Sequence, residues 1–207
     1  MNTKGLFIVL EGVDGSGKST QAAKLVEWLT RRTSRKTERT AEPYILRELI
    51  LGRKDLCKTS ELLLFLADRA QHVDKIINPT LEAGHNVICE RFNDSTLAYQ
   101  VGGHAINFSK VADLIKVCDF PEPDIKIFLD LSPDVALERV RARNNQNDRF
   151  EDEGLSLIKK VAAAYREIFS KSLPNLIKVE CDNKNEEQVF NLITSNLNSV
   201  LKFEELF

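Results

Sequence analysis

Short apolar runs alternate along the chain with longer stretches of helical periodicity. "LFIVLE", Leu6 to Glu11, is apolar without alternation until its last residue, which predicts a strand buried on both faces. "KSTQAAKLVEWLTRR" follows as a helix, with Ala22, Leu25, Val26 and Leu29 at helical spacing. "RTAEP" predicts a short second strand, stopped by Pro43. "TSELLLFLADRAQHVDKIINPTLEAG" predicts a long helix, capped by Thr59 or Ser60 and ended by Gly84, with Pro79 as a kink or its last turn. "NVICER" and "DIKIFLDL" are two more strands. "SPDVALERVRAR" opens a helix with Ser132 as N-cap and Pro133 as its first residue. "LIKVEC" is the last strand and "NEEQVFNLITSNLNSVLKF" the last helix. "NNQNDRFEDEG", Asn144 to Gly154, is polar and aperiodic between two helices and predicts a mobile loop. Strands separated by helices make this α/β: a five-stranded parallel sheet with helices on both faces, in one domain spanning residues 1–207.

The junction between the first strand and the first helix carries the clearest chemistry. Gly12 to Ser19 matches G-x-x-x-x-G-K-[ST], with a strand before it and a helix after it. Backbone N–H groups must close around phosphate oxygens here, and a Cβ would obstruct that approach. The helix N-terminus points at the same anion. Gly12, Val13, Asp14, Gly15, Ser16, Gly17, Lys18, Ser19 and Thr20 are therefore the expected ATP- or GTP-binding residues. Lys18 would reach the outer phosphates, and the Ser19 hydroxyl would hold Mg²⁺. A motor, a GTPase and a small-molecule kinase share this loop. "CDNKNEE" lacks the aspartate that a base-reading GTPase segment requires, and the chain has no ABC-type signature loop.

Composition narrows the classes further. Hydrophobic residues make up 43% and charged residues 29%, enough to build a core. The net charge of −2 supplies no basic field for nucleic acid. Cys57, Cys89, Cys118 and Cys181 stand far apart, without a C-x-x-C pair, which fits a reduced, cytoplasmic setting. Cys89 and Cys181 lie in strand-like runs and are read as core. No signal-peptide pattern is present, and no apolar run approaches the ~20 residues of a membrane span. The charge run "TRRTSRKTERT", Thr30 to Thr40, is read as a solvated helix end and loop.

A kinase also needs an acceptor pocket, and three stretches supply candidates. Phe65 and Arg69, four apart on one helix, would stack a planar base and hydrogen-bond its carbonyl edge. The plainer alternative makes Phe65 core and Arg69 a surface partner of Asp68 or Glu61. Glu90 and Arg91 end an apolar strand, where charges face the ligand crevice of an open sheet. Arg91 would hold a phosphate bidentately, and Glu90 would support Mg²⁺ through water or orient Arg91. The alternative is a loop salt bridge. Arg141, Arg143 and Arg149 bracket the predicted mobile loop, as a lid at about 141–154. They would neutralise a transferring phosphoryl group; otherwise they form a solvated basic helix end.

With these residues in view, the chain resembles the thymidylate kinase family, which phosphorylates dTMP with ATP. "FIVLEGVDGSGKSTQ", "LLLFLADRAQHV", "ERFNDSTLAYQ", "DIKIFLDLSPDVALERVRAR" and "DRFE" follow the family's order and spacing. The resemblance implies a three-layer P-loop NTPase fold, ATP and dTMP as substrates, Mg²⁺ with ATP, and a homodimer through the long helix. It also implies roles. Asp14 would accept a hydrogen bond from the sugar 3′-OH, Phe65 would stack on thymine and Arg69 would donate to its carbonyl. Arg91 would bind the dTMP phosphate. Ser95 and Thr96 would lie near the base. Tyr99 would disfavour a ribose 2′-OH, and Gln100 would contact the nucleotide. Arg143 and Arg149 would supply the catalytic cation, since the phosphate loop holds no arginine, and Arg141 would pack on adenine.

Two positions depart from the family pattern. T-R-E-P-G-G reads here as "TAEPYI", so Ala41 stands for the arginine and both glycines are gone, while Glu42 remains a substrate-site candidate. The usual Asp-Arg pair is Glu90-Arg91. Two rival readings follow at this stage: a kinase for another pyrimidine acceptor, and a nucleotide-binding regulatory protein without turnover.

Overall fold

A computed structural model describes residues 4–46, 56–144, 151–171 and 173–201. All five predicted strands form, the second of them two residues earlier than the Arg39-to-Pro43 run suggests: β1 Phe7–Glu11, β2 Thr37–Ala41, β3 Asn86–Glu90, β4 Ile125–Asp130 and β5 Leu176–Glu180. They form one parallel sheet in the order β2-β3-β1-β4-β5. The helices that connect them are α1 Lys18–Thr33, α2 Lys58–His72, α3 Asn78–Glu82, α4 Asn93–Thr96, α5 Phe108–Val117, α6 Pro133–Asn144, α7 Glu151–Ile168 and α8 Glu186–Leu201.

Because side chains alternate along a strand, β1 feeds two cores. Ile8 and Leu10 join Leu25, Leu29, Ile88 and Ile193 on one face of the sheet. Phe7 and Val9 join Leu62, Leu66, Val87 and Phe92 on the other. Both faces are covered, which explains the unbroken apolar runs of β1 and β3. Cys89 and Cys181 are buried, as expected, and Cys57 and Cys118 are exposed. Among the described residues, no helix is long and apolar enough to cross a membrane.

The structure revises several local expectations. The long helix is continuous from Lys58, but Val73–Ile77 widens into a π-helical turn just before Pro79. Proline withholds an N–H and crowds the preceding turn, and a wider turn accommodates both. Its N-cap is neither Thr59 nor Ser60 but Cys57, whose Sγ accepts from the Ser60 N–H at 3.4 Å. The segment read as loop through Gly154 is already helical from Glu151. Three acidic residues there suit a helix N-terminus, so their polarity is a helix signal as much as a loop signal. Residues 145–150, with Arg149, lie outside the described residues. The helix α5, capped by the Asn107 side chain, was not picked out in the sequence. The charge run Thr30–Thr40 is only partly a helix end, because its last residues form the edge strand β2. An edge tolerates charged side chains that a central strand would not.

Candidate active site

The phosphate loop closes at the carboxyl end of the central strand, where an open parallel sheet leaves its crevice. Gly15 has φ 85°, and a Cβ there would meet the Ala136 carbonyl oxygen of α6 at 2.6 Å. Glycine is thus required by backbone angle and by packing alike. Gly17, at φ 94°, is the left-handed residue from which α1 starts. Lys18 is buried, and its Nζ donates to the carbonyls of Gly12 and Val13 at 2.9 Å each. Burial, followed by the nearby Arg91 cation, lowers its pKa to about 7.

Opposite the loop, Arg91 leaves β3 in a left-handed conformation, φ 73°. Its Nη2 donates to Asp14 Oδ1 at 2.6 Å and to the Tyr99 hydroxyl at 3.0 Å. Its Nη1 donates to Ser95 Oγ and Tyr165 Oη at 3.3 Å each. The Tyr99 hydroxyl donates in turn to Asp14 Oδ2 at 3.1 Å. Desolvation works against the Asp14 charge, but Arg91 and then Lys18 outweigh it and hold the carboxyl at about 2. The loop's one acid therefore faces Arg91 across the cleft.

Behind Arg91 lies a buried carboxylate that the sequence reading passed over. Glu11 accepts from the backbone N–H groups of Phe92 at 2.8 Å and Ser95 at 3.3 Å. It also accepts from Ser95 Oγ at 2.5 Å and Tyr165 Oη at 3.0 Å. Burial, then the nearby Asp94, raises its pKa. These bonds fix the turn that carries Arg91. A charge at the end of an otherwise apolar strand was the available signal for Glu11; Tyr165, in the middle of α7, offered none.

Glu42 and Arg69 form the next layer. Arg69 Nε donates to both Glu42 oxygens, at 2.9 and 2.8 Å, and Nη2 adds a bond of 2.5 Å to Oε2. Arg69 Nη1 reaches Asn93 Oδ1 at 3.1 Å and Thr96 Oγ1 at 2.9 Å. The surface reading of Arg69 is thus overturned: the residue is 1% exposed, and its partner is neither Asp68 nor Glu61. Asp68 is itself buried and accepts from the backbone N–H groups of Tyr44, Ile45 and Leu46 at 2.5, 2.7 and 2.7 Å. The segment that departs from T-R-E-P-G-G is tied down by that one carboxylate.

Glu90 does not pair with Arg91. Its Oε2 accepts from Ser19 Oγ at 2.5 Å, and its Oε1 from Arg39 Nε at 2.8 Å. The turn at Arg91 carries the neighbouring side chains apart, so the expected Glu90-to-Arg91 orientation is replaced by an Arg39 pair. A cavity of about 230 Å³ is lined by Asp14, Lys18, Ser19, Arg39, Glu90 and Arg91. One space therefore joins the phosphate loop, two candidate metal-binding oxygens and two arginines.

The remaining expected residues fall as follows. Phe65 is half-buried on α2, and Ser95 and Thr96 are buried in α4. Tyr99 and Gln100 sit in the π-helical stretch Leu97–Gly103. Gln100 is 1% exposed and donates to Glu61 at 2.9 Å. Arg141 is exposed on α6, and Arg143 lies in that helix's last turn.

The chain and its fold are similar to those of known proteins. The family model described as Thymidylate kinase matches residues 10–193. The chain is 37% identical over 188 residues to a thymidylate kinase of Synechococcus sp. (strain JA-2-3B'a(2-13)), covering 88% of this chain and 89% of that protein. It is 41% identical over 181 residues to a thymidylate kinase of Gluconobacter oxydans (strain 621H), covering 82% and 84%. The crystal structure of thymidylate kinase from Ehrlichia chaffeensis superposes with a TM-score of 0.72 at 29% identity, covering 96% of this chain and 99% of that one.

Proposed function

The chain belongs to the thymidylate kinase family, and on that footing we propose how its residues divide the transfer of a phosphoryl group from ATP to dTMP. The enzyme phosphorylates dTMP to dTDP. Phosphoryl transfer asks little covalent chemistry of a protein; it asks for in-line positioning and for positive charge where negative charge develops.

The observation that carries the assignment of roles is the single cavity shared by Lys18 and Arg91. In the free enzyme each cation is held by a substitute acceptor: Lys18 by two carbonyls of its own loop, Arg91 by Asp14. Phosphate oxygens of ATP replace the carbonyls around Lys18, and the backbone of Gly12–Thr20 encloses them. The dTMP phosphate draws Arg91 from Asp14, and Asp14 is then free to accept the sugar 3′-OH. Tyr99, beside Asp14, fills the space a 2′-OH would need. Arg69 is held with its guanidinium edge fixed by Glu42 and Thr96, as base recognition requires. Phe65 stacks on thymine, Ser95 and Thr96 border the base, and Gln100 acts indirectly, through the helix that carries Tyr99. Arg143 and Arg149, from a lid at about 141–154 within the single domain, neutralise the transferring group, and Arg141 packs on adenine.

Ser19 Oγ and a Glu90 oxygen, 2.5 Å apart, form a hard oxygen donor set that fits Mg²⁺. Mg²⁺ so held would screen the charge of the ATP phosphates. Among the described residues no cluster of three or more acidic, His or Cys ligands exists. Mg²⁺ commonly keeps several waters and takes further ligands from substrate phosphates. The assembly we propose is a homodimer through α2, whose Leu63 is 49% exposed. The unpaired cysteines support a cytoplasmic setting.

A coupled ADP-release assay with Mg·ATP tests the reading by comparing dTMP, dUMP, dCMP, UMP and thymidine. Clear preference for dTMP is expected. Equal turnover of UMP would remove the role given to Tyr99, and turnover of thymidine in place of dTMP would remove that of Arg91.

A further inference from the structure

We infer that Arg39 is a second anchor for the phosphate of the acceptor nucleotide. The inference rests on dTMP being that acceptor and concerns a residue the charge pattern alone assigned to a solvated loop. Arg39 lies on the edge strand β2, where the register pairs Arg39 with Ile88 and Ala41 with Glu90. Residues two apart on a strand share a face, so Arg39, Ala41 and Glu90 point the same way. Ala41 carries only a methyl, which leaves the path of the longer side chain clear. The guanidinium reaches forward along the strand and meets Glu90 Oε1 through Nε at 2.8 Å and Nη2 at 2.7 Å. Both contacts fall on one carboxylate oxygen. The other Glu90 oxygen is taken by Ser19. Among the described residues Nη1 makes no hydrogen bond, and the side chain is 41% exposed, at the wall of the same cavity that holds Arg91.

Charge balance gives this edge its use. A nucleoside monophosphate brings a charge of about −1.5 to −2 near neutral pH and three acceptor oxygens. Asp14 and Glu90 add negative charge to the same space. Arg91 supplies one positive charge, and Lys18 is committed to the donor side. One guanidinium leaves the acceptor phosphate undercompensated, and Arg39 is the further cation lining the cavity. Its planar fork presents Nη1 and the second Nη2 hydrogen to a phosphate oxygen while Nε stays on Glu90. The free-state bond to Glu90 thereby keeps the side chain extended toward the ligand.

The test measures equilibrium binding of dTMP and of thymidine to the full-length protein and its variants. Thymidine lacks the phosphate and reports the integrity of the base and sugar pocket. Arg39→Ala is expected to weaken dTMP about 10- to 100-fold and to leave thymidine within about twofold. Arg39→Lys should recover part of the loss. The double variant Arg39→Ala/Glu90→Gln separates contact from masking: if Arg39 only neutralises Glu90, dTMP affinity returns, and the inference is overturned. Persistent weakness supports direct contact. Unchanged dTMP affinity in Arg39→Ala, or an equal loss for thymidine, also overturns it. Wild-type protein that fails to bind dTMP would refute the acceptor assignment itself, which is a different result from wild-type binding that the variant retains.

Discussion

The phosphate loop from Gly12 to Ser19 keeps its groups within one continuous stretch, whereas the opposite wall draws Arg39 from β2 and Arg91 from the turn after β3, with Arg69 of α2 behind them on Glu42. The first wall works with backbone N–H groups and one lysine. The second works with side-chain charges, each of which already has an opposite charge in the free enzyme: Arg39 with Glu90, Arg69 with Glu42, Arg91 with Asp14. The difference shows what each wall must tolerate. Backbone groups need only local geometry. Arg69, fully buried, needs its partner before any ligand arrives, because an unpaired buried ion costs several kcal/mol.

The contrast predicts that damage to the donor wall costs activity and damage to the acceptor wall costs stability as well. Lys18→Ala should lower kcat/KM for Mg·ATP about 10³-fold, with urea unfolding no easier than in the wild type, since burial already disfavours the lysine charge. A loss of stability there would break the contrast. Glu42→Ala should lower unfolding free energy by about 3 kcal/mol, because Arg69 is left charged and buried; a stable variant with normal unfolding would break it from the other side. The pH dependence of ATP binding sharpens the donor side. Burial lowers the Lys18 pKa to about 7 in the free enzyme, and contact with an anionic phosphate would raise it. Below pH 7 the lysine is already charged and affinity should be flat. Above it, binding must take up a proton, and calorimetry should show affinity falling by up to about tenfold per pH unit. Phe65→Ala is the smallest effect: about a five- to tenfold rise in KM for dTMP with kcat little changed, as expected for lost base stacking.

The same division decides how much could be read from the chain. The donor loop was legible because its spacing, its strand before and its helix after are all local. The five strands were legible for the same reason. The acceptor wall was legible only in part. Arg91 stood out at the end of an apolar strand, but its turn is fixed by Glu11, and Ser95 and Glu11 stand 84 positions apart. Arg39 was legible as the first residue of a short predicted strand but not as a site residue, since its partner Glu90 stands 51 positions away. Glu90 was singled out, but of its two suggested roles the orientation of Arg91 gives way to an Arg39 pair, because adjacency along the chain is not adjacency after a left-handed turn. The cysteine cap of α2 was missed because thiol caps fall outside the usual serine, threonine and asparagine set.

The pairing of Arg91 with Asp14 at 2.6 Å has a consequence for the valence of what can enter. A chloride ion could only exchange one unit charge for another and would forfeit the fitted geometry of the carboxylate. A phosphate near −2 brings a stronger field and oxygens that match the guanidinium fork. By charge and by shape, a doubly charged ester is the better competitor for Arg91 than a monovalent anion.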